Sequence, residues 1–423
     1  MPDTPTHRPA TPRTTSPAPP QVAPSRAAPP QVVPPPVAPP AVAVRPALVV
    51  GVLIVAAVLA ISQLYLTVPL LPGIAARHAV PMTTAAWVGG GFGFAFALGN
   101  LVFGTASDRY DRRHVMAAGL AVGALTCVVA GAADSFGLLL AARVAEGFLA
   151  AAIPAVSLAY TAEVLPPARR AVGVTAVSSS FLLAGLVGQA YALGVDRAAG
   201  PRWVFWLLVP LLLVTAFAVT RLPAVPRRTG APWRAFSRLL RTPALLAAYP
   251  GALTLLLTFV GMYSALSVIV GDRYGIHDAG TLLLLRLPGL PGIVLGAFAG
   301  PFINRYGAHR VAVTALSVAA AGLVIEAVAG GIAGVLVGSA VFVAGLAVSI
   351  PALVVVVGQA SGEARGAGLA GYAFLVGLGG GISPVLVAAL LPAGFAVVCM
   401  VLAGTLVAAA AVLAFGGAGA RRA

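Results

Sequence analysis

Four ionisable side chains lie inside long apolar runs of this sequence: Arg143, Glu146, Arg286 and Glu326. A charged group at membrane depth is costly, so each of them is a candidate for function. Arg143 and Glu146 are three residues apart, which would place them on neighbouring faces of one helix, where they can pair. The pair is a candidate for binding and releasing a proton. The alternative is a structural ion pair that ties its helix to polar groups such as Gln63.

The other two charges allow two interpretations. Arg286 lies about seven residues into its apolar run, roughly 10 Å below the outer surface at 1.5 Å per residue. It either pairs with Glu326 across a helical hairpin or faces a cavity and binds an anion. Glu326 lies near the outer end of its own run. We therefore expect its carboxyl to extend to the membrane interface.

Uncharged polar residues in the apolar runs are further candidates for lining a cavity with Arg286. Each of them alone is more often a contact between helices, worth about 1 kcal/mol. No metal or cofactor is expected, because the five histidines lie in loops or in the tail and the two cysteines have no metal-ligand spacing. The candidate cavity residues are Gln63, Tyr65, Asn100, Gln189, Tyr191, Tyr263, Ser264 and Tyr372.

The amino-acid composition indicates that these residues are surrounded by lipid rather than by water. The chain has 423 residues, of which 60% are hydrophobic and 9% are charged, whereas a soluble domain carries roughly 25% charged residues. So few charges cannot cover a water-exposed surface, and apolar runs long enough to cross a bilayer recur from Ala47 onwards. The formal charge of +15 does not indicate nucleic acid, because the arginines lie in short loops between these runs.

Hydropathy predicts twelve transmembrane helices. Twenty arginines then fall on the side of the N-terminus and four on the other side, so both termini are predicted to be cytoplasmic. Adding or removing one helix would scatter the arginines over both faces. The predicted spans are 47–68, 84–103, 114–132, 136–161, 171–194, 203–222, 244–270, 280–302, 310–329, 333–357, 367–391 and 395–416.

Two sequence echoes indicate an internal duplication. Gly104, Asp108, Arg109 and Tyr110, which follow the second span, recur as Gly, Asn, Arg and Tyr after the eighth span, 196 residues later. An Ile-Pro-Ala triplet in the fourth span also recurs in the tenth, 197 residues later. Two signals at nearly one offset predict a pair of related six-helix halves.

The loop after the second span closely resembles a signature of the major facilitator superfamily, G-x-x-x-D-R-x-G-R-R. The resemblance implies a cytoplasmic latch made of Gly104, Asp108, Arg109, Arg112 and Arg113. In this latch Asp108 would pair with Arg112 and accept hydrogen bonds from a helix N-terminus.

Two departures from the family patterns accompany the resemblance. Asp111 stands where the family usually has glycine, so the turn there must tolerate a side chain. Arg143 to Gly147 is similar to the family's R-x-x-Q-G pattern of proton-coupled members, with Glu146 in place of glutamine. The glycine-proline pair of the antiporter signature is not present in the fifth span.

The resemblance implies an all-α membrane protein with two six-helix bundles, and it is closest to the bacterial drug-efflux-type branch. We expect a secondary active transporter of a small amphipathic or hydrophobic molecule, coupled to protons and exporting it, with the lipid bilayer as its environment. The expected location is the bacterial inner membrane, and the expected state is a monomer without a nucleic-acid partner. The predicted divisions are a disordered tail (1–44), a first bundle (45–222), a central loop (223–243), a second bundle (244–416) and a C-terminal tail (417–423).

Three alternatives remain open at this level. The transporter could import a small metabolite instead of exporting its substrate. The chain could be a transport-inactive sensor or scaffold. A membrane-embedded enzyme is disfavoured, because the histidines lie in loops, in the tail or at the edge of a span. No Walker A sequence is present, so transport driven by ATP hydrolysis is not expected.

Overall fold

The computed structural model describes residues 45–224, 242–275, 281, 284–362 and 365–419. The predicted N-terminal tail, most of the central loop and the last four residues lie outside this part. The described residues are almost entirely helical. The helices are α1 (Pro46–Tyr65), α2 (Leu71–Arg77), α3 (Met82–Ala85), α4 (Trp87–Arg109), α5 (Arg112–Ala132), α6 (Phe136–Ala150), α7 (Pro154–Val164), α8 (Pro167–Ala199), α9 (Pro201–Trp206), α10 (Leu208–Thr220), α11 (Pro243–Tyr274), α12 (Leu290–Ala297), α13 (Ala299–Tyr306), α14 (Ala308–Val328), α15 (Ile332–Ala360), α16 (Arg365–Leu390) and α17 (Phe395–Gly419).

Within the described residues, eleven stretches are long and apolar enough to cross a membrane. A twelfth is counted when the bent pair Leu287–Gly296 and Ala299–Tyr306, which meet at 47°, is taken as one span. The predicted twelve-span, all-α fold is therefore confirmed. The eighth span differs from the continuous helix predicted at 280–302, because it is broken and ends at Tyr306.

The fourth span is also interrupted, between α6 and α7. Pro154 begins α7, and residues 151–153 form a turn. A proline at this point has no N–H for the carbonyl of Ala150, and its ring would clash with that carbonyl. The related Pro351 lies inside the continuous helix α15. The same triplet therefore gives a break in one copy and an unbroken helix in the other.

Small residues bring the helices of the two predicted halves into contact. Helix α4 packs against α16, and α8 packs against α12. A side chain on Gly377 would approach the Ala97 backbone to 2.9 Å, and one on Gly381 would reach the Phe94 nitrogen at 2.7 Å. Close backbone approach of this kind provides the van der Waals contact that holds helices together in lipid. The boundaries of the two halves stay a prediction.

The outward faces of the helices are apolar. Large side chains such as Leu125, Val214 and Phe217 are exposed. Exposed apolar surface of this extent marks contact with an apolar surrounding rather than with water. The charged side chains of the spans are turned inwards instead, and Arg143 is the largest fully buried side chain of the described residues.

Candidate functional site

The first charged cluster is the ion pair on α6. Arg143 Nη1 lies 2.6 Å from Glu146 Oε2, and both side chains are fully buried. The spacing of three residues places both on one side of α6, as the helical period requires. Two opposite charges buried together leave no net charge in the apolar interior.

Helices α1 and α4 contact this pair. Arg143 Nη2 donates a 2.5 Å hydrogen bond to the backbone carbonyl of Gln63 on α1. The guanidinium also lies 4.4 Å from the ring centre of Phe92 on α4, which adds a cation–π contact. A side chain on Gly147 would overlap the Phe92 carbonyl. The absence of a side chain at Gly147 therefore allows α6 to approach α4 closely.

Cys127 on α5 is a member of the cluster that the sequence analysis did not identify. Its thiol donates a 2.9 Å hydrogen bond to Glu146 Oε1 and lies 3.8 Å from Gln63 Oε1. Nothing in its position within an apolar run distinguishes it from an ordinary core cysteine. Both carboxylate oxygens of Glu146 are thus held, one by a guanidinium and the other by a thiol.

A second candidate site is a small cavity between helices of both predicted halves, which we call the central cavity. Its volume is about 10 Å³, which is enough for roughly one water molecule. The cavity therefore holds little free space in this conformation. It is lined by Gly185, Leu186 and Gln189 of α8, Phe259 and Tyr263 of α11, and Arg286 and Leu290 of the eighth span.

Arg286 is the charged group of the central cavity, and it is 7% exposed. Its Nη2 donates to Ser267 Oγ at 2.8 Å, and its guanidinium lies 5.3 Å from the ring centre of Tyr263. Its Nη1 has no hydrogen-bond partner. No carboxylate of the described residues lies within 4 Å of it, so the predicted alternative of a pair with Glu326 is wrong.

The Gln189 side chain provides a hydrogen-bond acceptor in the cavity that contains the Arg286 donor. Gln189 donates from Nε2 to the Gly185 carbonyl at 2.9 Å, while its Oε1 has no partner. The rings of Tyr65 and Tyr263 flank Phe259 edge-on, with centroids at 6.0 and 5.1 Å, and the Tyr65 hydroxyl is also unpartnered. The central cavity thus has apolar and aromatic walls with a few free polar groups.

Six of the predicted cavity residues are not part of the lining of the central cavity: Gln63, Tyr65, Asn100, Tyr191, Ser264 and Tyr372. Three of them have other surroundings. Tyr191 donates to the Val204 carbonyl at 2.9 Å, which joins α8 to α9. Asn100 donates to the Phe96 carbonyl within α4 at 2.8 Å. Tyr372 is buried in the core cluster. For Tyr191 and Asn100 the structure supports the role of contacts within and between helices.

Glu326 also differs from the sequence prediction. We expected it to extend to the membrane interface, but it is 1% exposed, so that expectation is wrong. Its Oε2 accepts from the Cys399 thiol at 3.7 Å, and its Oε1 has no partner. The helix places the carboxyl towards α15 and α17 rather than along the surface, because Gly338 of α15 leaves space for it.

Residues of the predicted latch form a network of ion pairs where α5 begins and α7 ends. Arg112 Nη1 lies 2.6 Å from Glu163 Oε2, which joins the start of α5 to the end of α7. Arg113 pairs with Asp111 at 2.7 Å and donates to the Leu222 carbonyl at 2.7 Å. The side chain of Asp108 lies outside the described part of the structure.

Two further latch residues make fewer contacts. Arg109 is exposed. A side chain on Gly104 would lie 3.3 Å from Ala370 of α16. The sequence analysis did not identify Glu163 as the acidic partner of Arg112. Its only signal was a carboxylate near the end of a span that is predicted to be cytoplasmic.

Asp111 has a structural role as the residue that caps α5. Its carboxylate accepts from the backbone N–H of Arg113 at 2.9 Å. Its φ of −60° is an ordinary conformation, so the position does not require glycine. The hydrogen bond from the Arg113 side chain lowers the pKa of Asp111 below its usual value.

Eleven apolar spans, or twelve with the bent pair, together with buried charges define a polytopic membrane protein fold. A model of the Major Facilitator Superfamily matches residues 53–295, which is more than half of the chain. The chain belongs to the major facilitator superfamily. Assignment to the drug-efflux branch stays a proposal.

Similar proteins agree with this family. A probable transporter of Streptomyces coelicolor is 28% identical over 277 residues, which cover 61% of this chain and 62% of that protein. A triacylglyceride transporter of Mycolicibacterium hassiacum is 32% identical over 167 residues, 39% of this chain and 29% of that protein. The matches thus span less than two thirds of these relatives. The structure of a human organic anion transporter has a TM-score of 0.68 at 19% identity, covering 89% of this chain and 100% of that one, which shows a shared fold.

Proposed function

We propose that the protein is a secondary active transporter that moves a small amphipathic molecule by alternating access through the central cavity. The observation that carries this proposal is the composition of that cavity: α8 comes from the first predicted half, whereas α11 and Arg286 come from the second. A site at the junction of two halves can open to either side when the halves rock against each other. The small free volume of the cavity means that the helices lining it must move apart to admit a substrate.

The walls of the central cavity favour an amphipathic substrate with an anionic group. Phe259, Tyr263 and Leu290 offer apolar surface, while Arg286 offers an unused N–H group on a buried positive charge. A buried guanidinium without a counter-ion is unfavourable, and an anionic group of the substrate would remove that cost. The free Gln189 oxygen can accept from a donor on the same substrate.

Proton coupling is assigned to Glu146. In the present arrangement the carboxylate is held by Arg143 and by the Cys127 thiol. If a movement of α1 or α5 within the first predicted half opens this cluster to water, the carboxylate can take up a proton. Export would then combine outward movement of substrate with inward movement of a proton. Import of a metabolite is the second candidate direction.

The proposed location is the bacterial inner membrane, with both termini in the cytoplasm. The support is the bias of arginines towards one set of loops. The proposed functional unit is a monomer, because the central cavity is built from one chain.

Binding to the purified protein tests the proposed substrate class. The probes are 1-naphthalenesulfonate, which is anionic, and 1-naphthalenesulfonamide, which is neutral and of nearly equal size. We expect the sulfonate to bind at least tenfold more tightly, and Arg286→Gln to remove that preference. Arg202→Gln is the matched control, because Arg202 is an exposed arginine paired with Asp134. Equal binding of both probes would exclude the anionic class.

A further inference from the structure

A second cavity lies apart from the central one, where α11, α14, α15 and α17 come together at one end of the second predicted half. We call it the Glu326 cavity. Its volume is about 190 Å³. The predicted topology places this end on the outer side of the membrane. The lining residues are Ile269, Val270, Glu326, Ala327, Ala329, Ile332, Val335, Gly394, Phe395 and Ala396.

Glu326 is the one titratable residue in the lining of this otherwise apolar cavity. Glu326 is 1% exposed, and its Oε1 has no hydrogen-bond partner. Its Oε2 has a long 3.7 Å contact with the Cys399 thiol. No arginine or histidine of the described residues lies within 4 Å of the carboxyl. Glu326 therefore contrasts with Glu146, whose two oxygens are both held at 2.9 Å or less.

The position of the carboxyl is fixed by close helix packing. A side chain on Gly338 of α15 would come within 2.6 Å of Glu326 Cγ. The glycine thus provides the room in which the glutamate stem lies between α14 and α15. The carboxyl is near the last turn of α14, which ends at Val328. The carbonyl groups at a helix C-terminus carry partial negative charge and favour a cation.

The chemistry of the lining selects the kind of cation. A divalent metal ion such as Ca²⁺ takes six to eight oxygen ligands, typically several carboxylates and carbonyls. The lining contributes a single carboxylate and no other charged side chain. An organic ammonium ion needs only two or three acceptors and can bury its hydrocarbon part against the remaining lining.

The volume sets the size of that ligand. An apolar cavity of about 150 Å³ holds benzene, which has six carbon atoms. A cavity of about 190 Å³ therefore accommodates a ring with one additional polar group. A ligand of that size would contact Val335 and Phe395 while its ammonium group contacts Glu326.

We propose that the Glu326 cavity is a binding site for a small alkylammonium ion, separate from the site of the transported molecule. The ammonium group pairs with the Glu326 carboxylate once the side chain turns towards the cavity, and it donates a hydrogen bond to a carbonyl at the end of α14. The hydrocarbon part fills the apolar remainder of the cavity. The site does not depend on the proposed transport function, because no residue of its lining belongs to the central cavity.

Calorimetry on the purified full-length protein at pH 7.5 tests this site. The probes are cyclohexylammonium and its neutral counterpart cyclohexanol. A primary alkylamine resembles the lysine side chain, with a pKa of about 10.4, so it is charged at this pH. We expect cyclohexylammonium to bind at least tenfold more tightly than cyclohexanol, and Glu326→Gln to weaken ammonium binding at least tenfold.

Two additional variants distinguish the site from general effects on folding. Val335→Phe keeps the carboxyl but fills the cavity, so it should also abolish ammonium binding. Asp134→Asn removes an exposed carboxylate elsewhere and should leave binding unchanged. Each variant is compared with the wild type by size-exclusion profile and helical circular dichroism.

Three outcomes would overturn the proposal. Equal binding of cyclohexanol and cyclohexylammonium would show that charge is not recognised. Retained ammonium binding in both Glu326→Gln and Val335→Phe would place the ligand elsewhere. Absence of ammonium binding in the wild type would leave a proton as the only partner of Glu326. None of these results depends on transport of 1-naphthalenesulfonate, so failure of this site and failure of the proposed function are distinguishable.

Discussion

Replacing Glu146 by glutamine separates the stabilising role of the buried pair from its proposed role in coupling. The substitution removes one charge and leaves Arg143 buried without a counter-ion. Loss of one partner of a buried ion pair costs about 3–5 kcal/mol. Glutamine keeps an oxygen that can still accept from Arg143 Nη1, which now lies 2.6 Å from the carboxylate. We therefore expect a cost of about 3 kcal/mol, at the lower end of that range.

A double variant isolates the effect of the unpaired charge. Arg143→Gln combined with Glu146→Gln leaves no buried charge, so its stability should lie closer to the wild type than that of Glu146→Gln alone. The exposed pair of Arg202 and Asp134, at 2.7 Å, is the control. Removing it with Asp134→Asn should cost at most about 1 kcal/mol. Thermal unfolding followed by tryptophan fluorescence measures these differences.

Coupling of transport to protons should rank these variants differently from stability. Both variants that lack the Glu146 carboxylate should exchange 1-naphthalenesulfonate across a proteoliposome membrane but should not accumulate it when a pH gradient is imposed. The double variant would thus recover stability without recovering coupling. Accumulation by Glu146→Gln against the substrate gradient, with the pH dependence of the wild type, would refute the assignment and leave the pair as a structural element.

Three further predictions concern the cytoplasmic loops and the topology. Arg112→Ala and Glu163→Gln each break the 2.6 Å contact between α5 and α7. Each should therefore lower transport at least tenfold without reducing the amount of protein in the membrane. Normal transport by both variants would contradict the latch hypothesis. The native pKa of Asp111 is lower than its unfolded value, so its contribution to stability is complete above about pH 3.9 and is lost as the pH falls through the native pKa. Asp111→Asn should therefore flatten the acid limb of a stability profile below about pH 4, and an unchanged limb would contradict this. A reporter fused at Arg234 should read cytoplasmic and one at Asp196 periplasmic; the reverse would contradict the predicted orientation.

The fold could be predicted because lipid imposes simple rules on a sequence. Apolar runs of about 20 residues become spans, and arginines mark the cytoplasmic loops. Predicting the number of spans required no knowledge of how the helices pack. The continuity of each span was less predictable. The Ile-Pro-Ala triplet gives a break before Pro154 but not at Pro351, because neighbouring helices decide whether the freed carbonyl is accommodated.

The candidate site was only partly predictable. Spacing along one helix was sufficient to bring Arg143 and Glu146 together. Contacts between helices had no equivalent signal, so Cys127 and Glu163 were missed, and Glu326 was expected at the interface. The direction in which a side chain points depends on the rotation of its helix against its neighbours, and Gly338 opens the space for Glu326 only in the folded arrangement.

Proton movement driven by substrate tests the central claim most directly. The wild-type protein is reconstituted into vesicles that contain a trapped pH-sensitive dye, with the membrane potential clamped by potassium and valinomycin. We predict that 1-naphthalenesulfonate added outside enters in exchange for protons, so the vesicle interior becomes alkaline, and that Glu146→Gln vesicles show no such change. An interior that stays at constant pH while the sulfonate enters, or that becomes acidic with it, would contradict proton-coupled export.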